Sequence, residues 1–449
     1  MTFFFTVTHF PFYINSDKSL YQYKKAHLKS KIAINNVKIP FIDKIYNPFI
    51  AFYRFYLQPR CDRISDMEKK RIYMDNAATT YPKPPQVAEA VADYIANVGM
   101  NIKRGGYEKA YAAAEGVLLL RERLCSFFNG PDPRNLIFTA NITASLNYVL
   151  KGWLRPGDHI LTTSLEHNAT MRPLVQLLDH GVTFDCIPTR EDGQPDYDAI
   201  PALIKPETKA ITAIHASNVS GVVVDIETLA AIAREHGLKF ILDSAQSAGI
   251  LPIDMKAVGI DCLTFTGHKG LLGPQGLGGF IISDEMAEQT VPLISGGTGS
   301  FSHLETMPEL LPDRFEPGTM NLPAMAGLAA AMDFLEEQGI DKLHAKEQAL
   351  IRRFIDGLKG HEQVRIIGAD YPQRVAVASL DFPHHDNAEI AFQLEDRFGV
   401  MTRCGLHCAP RAHKSVGTYP QGSVRFSPGV FTSEEDIDYT VEAVLSLIK

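Results

Sequence analysis

Lys269 follows an apolar run, CLTFTG (262–267), and is flanked by Thr266, His268 and a glycine-rich loop, GLLGPQGLGG (270–279). An amine at the end of a buried strand loses affinity for its proton, because burial penalises the charged form, and the neutral amine attacks carbonyl carbon. Taken alone, Lys269 would read as a surface lysine in a hairpin loop. Asp243, ending the run KFILDS (239–244), adds a carboxylate of the kind that pairs with a protonated ring nitrogen. A third feature, RCGLHCAP (403–410), packs two cysteines, a histidine and an arginine into eight positions. Its spacing leaves four readings open: half of a zinc site, a disulfide, a structural pair, or a nucleophile.

The elements that must position these groups follow from the hydrophobic pattern. Between about residues 87 and 330, short apolar runs alternate with helical stretches, which predicts βα units and a mostly parallel sheet. The runs are NLIFTA (135–140), HILTTS (159–164), AITAIHAS (210–217), KFILDS and CLTFTG. ETLAAIAREHG (227–237) has helical spacing, with Asp225 as N-cap and Gly237 as stop. LGGFIIS (277–283) follows CLTFTG too closely for a helical crossover, so those two strands are expected to be antiparallel. Beyond residue 330, two helical stretches and short alternating runs (RVAVASLDF, SVRFSPG) predict a smaller α+β domain that contains RCGLHCAP. The expected organisation is an extension over 1–66, a large domain over 67–330 and a small domain over 331–449.

Polar residues cluster where the apolar runs end: Thr143; Glu166, His167 and Asn168; Asn218; Asp243 and Gln246; His268 and Lys269. In an open α/β sheet these are the carboxyl ends, where ligands bind. Thr143, Thr266 and His268 offer donors to a phosphate, helped by a helix N-terminus expected near Ala144. His167 can stack on a ring and Gln246 can donate to a phenolic oxygen. With Lys269 and Asp243, the set matches the needs of pyridoxal 5'-phosphate, whose protonated ring nitrogen makes it an electron sink.

From about Tyr73 to the C-terminus the sequence resembles the class V aminotransferase superfamily of fold-type I pyridoxal phosphate enzymes, and within it the cysteine desulfurases and selenocysteine lyases. The motifs are YMDNAATT (73–80), NIKRGGYEKA (101–110), SLEHNA (164–169), HASNVSG (215–221), LDSAQSAG (242–249), TGHKGLLGPQGLGG (266–279), FEPGTMN (315–321) and RCGLHCAP. The resemblance implies an α/β fold, a mostly parallel sheet with helices on both faces, plus the smaller α+β domain. It implies that Lys269 carries the cofactor, Asp243 holds its pyridinium, His167 stacks on the ring, and Gln246 contacts the ring oxygen. Thr143, Thr266 and His268 would hold the phosphate, with Thr319 reaching the neighbouring subunit's site in a homodimer. Asn218, Arg403 and Arg425 would bind the substrate, Arg425 as a fork on its carboxylate.

The same resemblance makes Cys408 the nucleophile that takes sulfur from L-cysteine, or selenium from L-selenocysteine, leaving alanine. Arg403 and His407 are expected to lower its thiol pKa by their positive field. Cys404 reads as a small supporting side chain, with a resolving thiol as the alternative, and no metal is expected. Ile142 and Leu406 depart from the family pattern, which often has a hydroxyl residue and a histidine there. A selenocysteine lyase, or another class V enzyme with an idle Cys408, remains the alternative activity. A protein that keeps the fold as a scaffold, without chemistry, is the other.

Composition is consistent with a soluble enzyme. A net charge of −8 argues against a broadly nucleic-acid-binding surface, and six cysteines in 449 residues, scattered apart from the last pair, point to a reducing cytoplasm. No apolar run reaches membrane-spanning length. A protein that accepts the sulfur, on a route such as iron–sulfur cluster assembly, is the expected partner. Residues 1–66 hold ten Lys or Arg against four Asp, and 15 aromatics. They have no counterpart in the family, and Met67 is the expected start.

Overall fold

The computed structural model describes residues 70–448 apart from 103, 104 and 372, so the expectations for residues 1–66 lie outside the described residues. Lys69–Lys449 forms one compact unit. In chain order its strands are β1 (Ile72–Tyr73), β2 (Leu136–Thr139), β3 (His159–Thr163), β4 (Thr183–Ile187), β5 (Thr208–Ile214), β6 (Lys239–Asp243), β7 (Cys262–Thr266) and β8 (Gly278–Ile282). There follow β9 (Arg365–Ile367), β10 (Ala378–Asp381), β11 (Val400–Met401), β12 (Arg403–Gly405) and β13 (Ser423–Phe426).

Seven strands form the central sheet in the order β2-β8-β7-β6-β5-β3-β4. The run from β7 to β4 is parallel, and β8 is antiparallel to both β7 and β2. The short β7–β8 connection therefore reverses the chain as its length requires. β4, with the sequence TFDCI, has no counterpart among the expected strands. It is the edge strand opposite β2, and only Ile187 in it is buried.

Alternate residues of each strand feed two separate cores, as the two-residue period of a strand demands. Leu161, Ile211, Leu242 and Phe265 pack on one face with Leu120 and Leu124 of helix Glu108–Phe127 and Leu328 of helix Leu322–Gln338. Ile160, Ala210, Ile241 and Cys262 pack on the other with Val149 of helix Ile142–Trp153 and Leu174 of helix Asn168–Leu178. Helix Ile226–Glu235 starts where Asp225 accepts the Thr228 amide, and Gly237 follows its end at φ +67°.

A four-stranded antiparallel sheet, β12-β13-β10-β9, has its own core with Ile351 and Phe354 of helix Ile340–Leu358 and Val444 of helix Glu434–Leu447. The segment from β1 onward joins this sheet to the central one. β1 pairs in parallel with β11, Asp75 bridges to Ser427, and the Thr80 amide donates to His268 O (3.2 Å).

The FEPGTMN loop is anchored from inside. Glu316 accepts from Arg121 Nη2 (3.0 Å) and the Phe138 amide (2.8 Å), and the Arg121 guanidinium lies 4.8 Å from the Phe138 ring centre. Both charged side chains are buried. Glu316→Ala leaves Arg121 buried without its counter-charge and should cost about 3–5 kcal/mol in urea unfolding. A loss below about 1 kcal/mol would show that the pair does not hold this loop.

Candidate active site

The carboxyl ends of β2, β3, β5, β6 and β7 lie along one edge, because four of these strands are parallel and β2 runs in the same direction two antiparallel steps away. Lys269 stands in the turn after β7, closed by the Leu272 amide on Lys269 O and the Gly273 amide on Gly267 O (both 2.8 Å). A Cβ on Gly270 would stand 2.5 Å from Ala248 O, so glycine is what allows this turn to sit against the turn after β6. Burial lowers the Lys269 ammonium to about 8. Arg425 and Arg403 push it the same way, against Asp243 and Asp75. About one amine in ten is therefore neutral at pH 7, against well under one in a thousand for an ordinary lysine.

Asp243 is 3% exposed and accepts the Ala245 amide (2.9 Å). Burial raises its pKa, against that hydrogen bond and the charge of Lys269, and no cation stands within ion-pair distance among the described residues. A cationic ring nitrogen would relieve this. His167 caps helix Asn168–Leu178, its Nδ1 accepting the Ala169 amide (3.0 Å). Burial, then Lys269, Arg403 and Arg425, lower its pKa to about 4. The ring is thus neutral, with its proton on Nε2. Gln246 is tied by its Nε2 to Ala77 O (3.0 Å).

Thr266 Oγ1 and His268 Nδ1 are buried polar atoms without partners among the described residues. Asn141 Oδ1 caps helix Ile142–Trp153 by accepting the Ala144 amide. The helix begins at Ile142, two residues before the expected position near Ala144, because the cap is Asn141. Thr143 in the first turn and Thr319 after Gly318 are exposed, and neither side chain hydrogen-bonds another described residue.

The second sheet contributes the cations. Arg403 on β12 and Arg425 on β13 are directly opposed. Like charges so placed repel. One carboxylate compensates them, Asp75 Oδ1 accepting from Arg425 Nη2 (2.7 Å), so net positive charge faces Lys269. Asn218 is buried, its Nδ2 donating to His407 O (2.7 Å).

Cys408 is exposed, on a turn where it and His407 both adopt left-handed backbone (φ +57° and +48°). The expectation that His407 lends positive charge to the thiol is corrected. His407 is 4% exposed, and burial, with Arg425, His413 and Arg403, lowers its pKa to about 2. Its ring is neutral and contacts Ser423 and His413 instead. Cys404 lies opposite Val424 and packs into the core of the second sheet, with its thiol pKa raised by burial. Cys404 and Cys408 are both free thiols, and no cluster of three metal-ligating side chains occurs among the described residues.

Of two further groups at the site, Glu166 was marked in the sequence only by its place at a strand end, and Lys83 was not marked. Glu166 Oε1 accepts from Thr163 Oγ1 (2.7 Å) and the Ile214 amide (2.9 Å). Burial raises its pKa to about 8, with Asp243 adding to the shift, so it keeps its proton beside the aspartate. Lys83 donates to Thr80 Oγ1 and to His268 O (2.7 Å), and burial lowers its pKa to about 7.

The residues present fit pyridoxal phosphate: an amine with a lowered pKa, a buried carboxyl without a counter-cation, and unpartnered Thr266 and His268 atoms beside the turn. The aminotransferase class-V family profile matches residues 72–440. A probable cysteine desulfurase of Halobacterium salinarum is 32% identical over 380 residues, which cover 83% of this chain and 90% of the relative. A cysteine desulfurase of Haloferax volcanii is 31% identical, covering 83% and 88%. Among solved structures, the apo cysteine desulfurase of Thermococcus onnurineus superposes with a TM-score of 0.78 at 30% identity, covering 84% of this chain and 94% of that one. The Escherichia coli cysteine desulfurase CsdA, in an S-sulfonic acid form, gives 0.75 at 27%, covering 84% and 95%.

Behind Lys269, where the two sheets and the 76–80 segment meet, lies a cavity of about 30 Å³ lined by Thr80, Gln246, Lys269, His344 and Glu347. That is room for a water molecule or two. Glu347 is 6% exposed, makes no hydrogen bond or ion pair with a described residue, and burial raises its pKa from 4.5 to about 8. The folded chain therefore holds a proton that the unfolded chain releases near 4.5. The stability associated with that proton is present below 4.5 and is lost as pH rises through about 8. Glu347→Gln should match the wild type at pH 4.5 and exceed it by on the order of 2 kcal/mol at pH 8.5 in urea unfolding. Equal stability at both pH values would contradict the buried neutral acid.

Proposed function

The chain belongs to the aminotransferase class-V family of pyridoxal phosphate enzymes, and from that membership we propose that the protein is a cysteine desulfurase, converting L-cysteine to L-alanine and leaving sulfur as a persulfide on Cys408. The observation that carries this reading is an exposed thiol, Cys408, on a turn hydrogen-bonded to Asn168 and Asn218 at the edge that carries Lys269 and Asp243.

In this reading Lys269, Asp243, His167, Gln246, Thr143, Thr266 and His268 hold the cofactor, which when bound supplies an electron sink for the bonds of the amino acid's α-carbon. Asp243 contributes the negative charge that keeps a ring nitrogen protonated, and neutral Glu166 beside it does not compete for that nitrogen. The Lys269 amine, with its pKa near 8, takes and returns the proton at the substrate α-carbon. Arg425 and Arg403 receive the substrate carboxylate, Arg425 as a planar fork, with Asn218 beside them. Cys408 Sγ, as thiolate, attacks the substrate sulfur. A sulfur–sulfur bond forms, the carbon–sulfur bond breaks, and the three-carbon product takes up protons to leave as alanine.

The same reading includes a homodimer. Thr319 is exposed on its loop, and the preceding stretch exposes Val291, Ile294 and Leu310. A second copy would cover these and receive Thr319 at its own phosphate. A sulfur-accepting protein would approach Cys408 from solvent. Among the described residues no helix is long and apolar enough to cross a membrane. The cytoplasm, where thiols stay reduced, is the compartment proposed.

The test is product analysis. With L-cysteine and a thiol reductant, the purified protein should release alanine and sulfide in equal amounts. Without reductant, the Cys408 peptide should gain the mass of one sulfur atom. Cys408→Ala should lower turnover at least about 100-fold while binding the cofactor normally. Undiminished alanine release by that variant would overturn the reading in favour of an enzyme that leaves Cys408 idle.

A further inference from the structure

Two consecutive non-glycine residues in left-handed conformation, His407 and Cys408, cost free energy that the surroundings must offset. Three hydrogen bonds close on this turn. The Ala409 amide donates to Leu406 O (2.8 Å) within it, Asn218 Nδ2 donates to His407 O (2.7 Å), and the Asn168 amide donates to Cys408 O (2.7 Å). The last two come from the central sheet: Asn168 opens the helix capped by His167, and Asn218 follows β5. Asn218 is 6% exposed, and its own carbonyl accepts from Arg425 Nη1 (3.2 Å). Arg425 is 1% exposed and binds Asp75 through Nη2. An unbroken chain of contacts therefore runs from the arginine that faces the lysine cleft to the backbone of the cysteine turn.

We propose that Asn218 and the Asn168 amide are positioning groups for the nucleophile, together holding the left-handed His407–Cys408 turn, with Asn218 linking that turn to Arg425. The inference rests on reading Cys408 as the nucleophile, and it assigns Asn218 a task other than contacting substrate. One of its two amide N–H donors is taken by His407 O. Neither hydrogen bond comes from the second sheet that carries Cys408, so the thiol is referenced to the sheet that carries Lys269.

Two variants test it. Asn218→Ala removes the side-chain donor and keeps the backbone carbonyl that serves Arg425. Asn168→Pro removes the amide donor at the first residue of a helix, where proline is tolerated and the extended backbone of His167 (φ −74°, ψ 155°) already suits a following proline. Amide hydrogen exchange across residues 403–410 of the holoenzyme is the first readout, and kcat and KM for L-cysteine are the second. Each variant should exchange about tenfold faster in this segment, with exchange in β5–β7 unchanged. Each should lose at least about tenfold in kcat with KM changed less than about threefold. Unchanged exchange over 403–410, with the loss confined to KM, would overturn the proposal and leave Asn218 a substrate contact only. Were the wild type inactive on L-cysteine, the desulfurase reading would fail, while the exchange measurement would still decide whether these groups hold the turn.

Discussion

The cost of burying charge governs this molecule. At the carboxyl edge of the central sheet, water is largely excluded from Lys269, Asp243, His167, Glu166 and Arg425, and their protonation follows from that exclusion together with the charges that remain nearby. Lys269 is lowered while Asp243 and Glu166 are raised, and His167 is neutral. Two carboxyls and two guanidiniums brought this close cannot all behave as they do in water. The outcome is an amine able to lose its proton, a carboxyl without a counter-cation, and net positive charge from the opposed arginines.

Those charges come from separate parts of the chain, and the connections between the sheets decide where they meet. β1 pairs with β11 and the chain then runs past Ser427 to His268, so Asp75 reaches Arg425 and Thr80 supports the turn carrying Lys269. Register does the rest. On β12 and β13, Arg403, Gly405, Ser423 and Arg425 share a face, while Cys404 and Val424 point into the core. A shift of one residue would turn both arginines away from the cleft into the apolar core and turn the core valine out of it. The difference between Cys404 and Cys408 is of the same origin: one alternates inward along a strand, the other stands on a turn beyond it.

Much of this was legible in the chain, for a physical reason. Strands buried on both faces read as continuous apolar runs, and the polar residues after each run mark the edge where ligands bind, so Lys269, Asp243, His167 and Gln246 could be named from order alone. β4 escaped because an edge strand half open to solvent, TFDCI, carries no such run. The helix starts at Ile142, two residues before the expected position, because Asn141 is the cap, which its side-chain bond to the Ala144 amide shows and sequence does not. His407 was given a charge it does not carry, since burial between Ser423 and His413 depends on residues folding back from later in the chain. Asp75, Lys83 and Glu347 went unremarked for the same reason: an isolated acid or lysine in sequence looks like a solvated side chain until distant segments enclose it.

The central claim is that the amine of Lys269, opposite the Asp243 carboxyl, is the cofactor's attachment point. Borohydride reduction of the purified holoprotein followed by peptide mapping tests it most directly. The account predicts a pyridoxyl group on the peptide containing Lys269, and its loss in Lys269→Ala without a shift to Lys83, the other lysine with a strongly lowered pKa near the cleft. A pyridoxyl group on Lys83, on any other lysine, or on none after incubation with pyridoxal phosphate would contradict it.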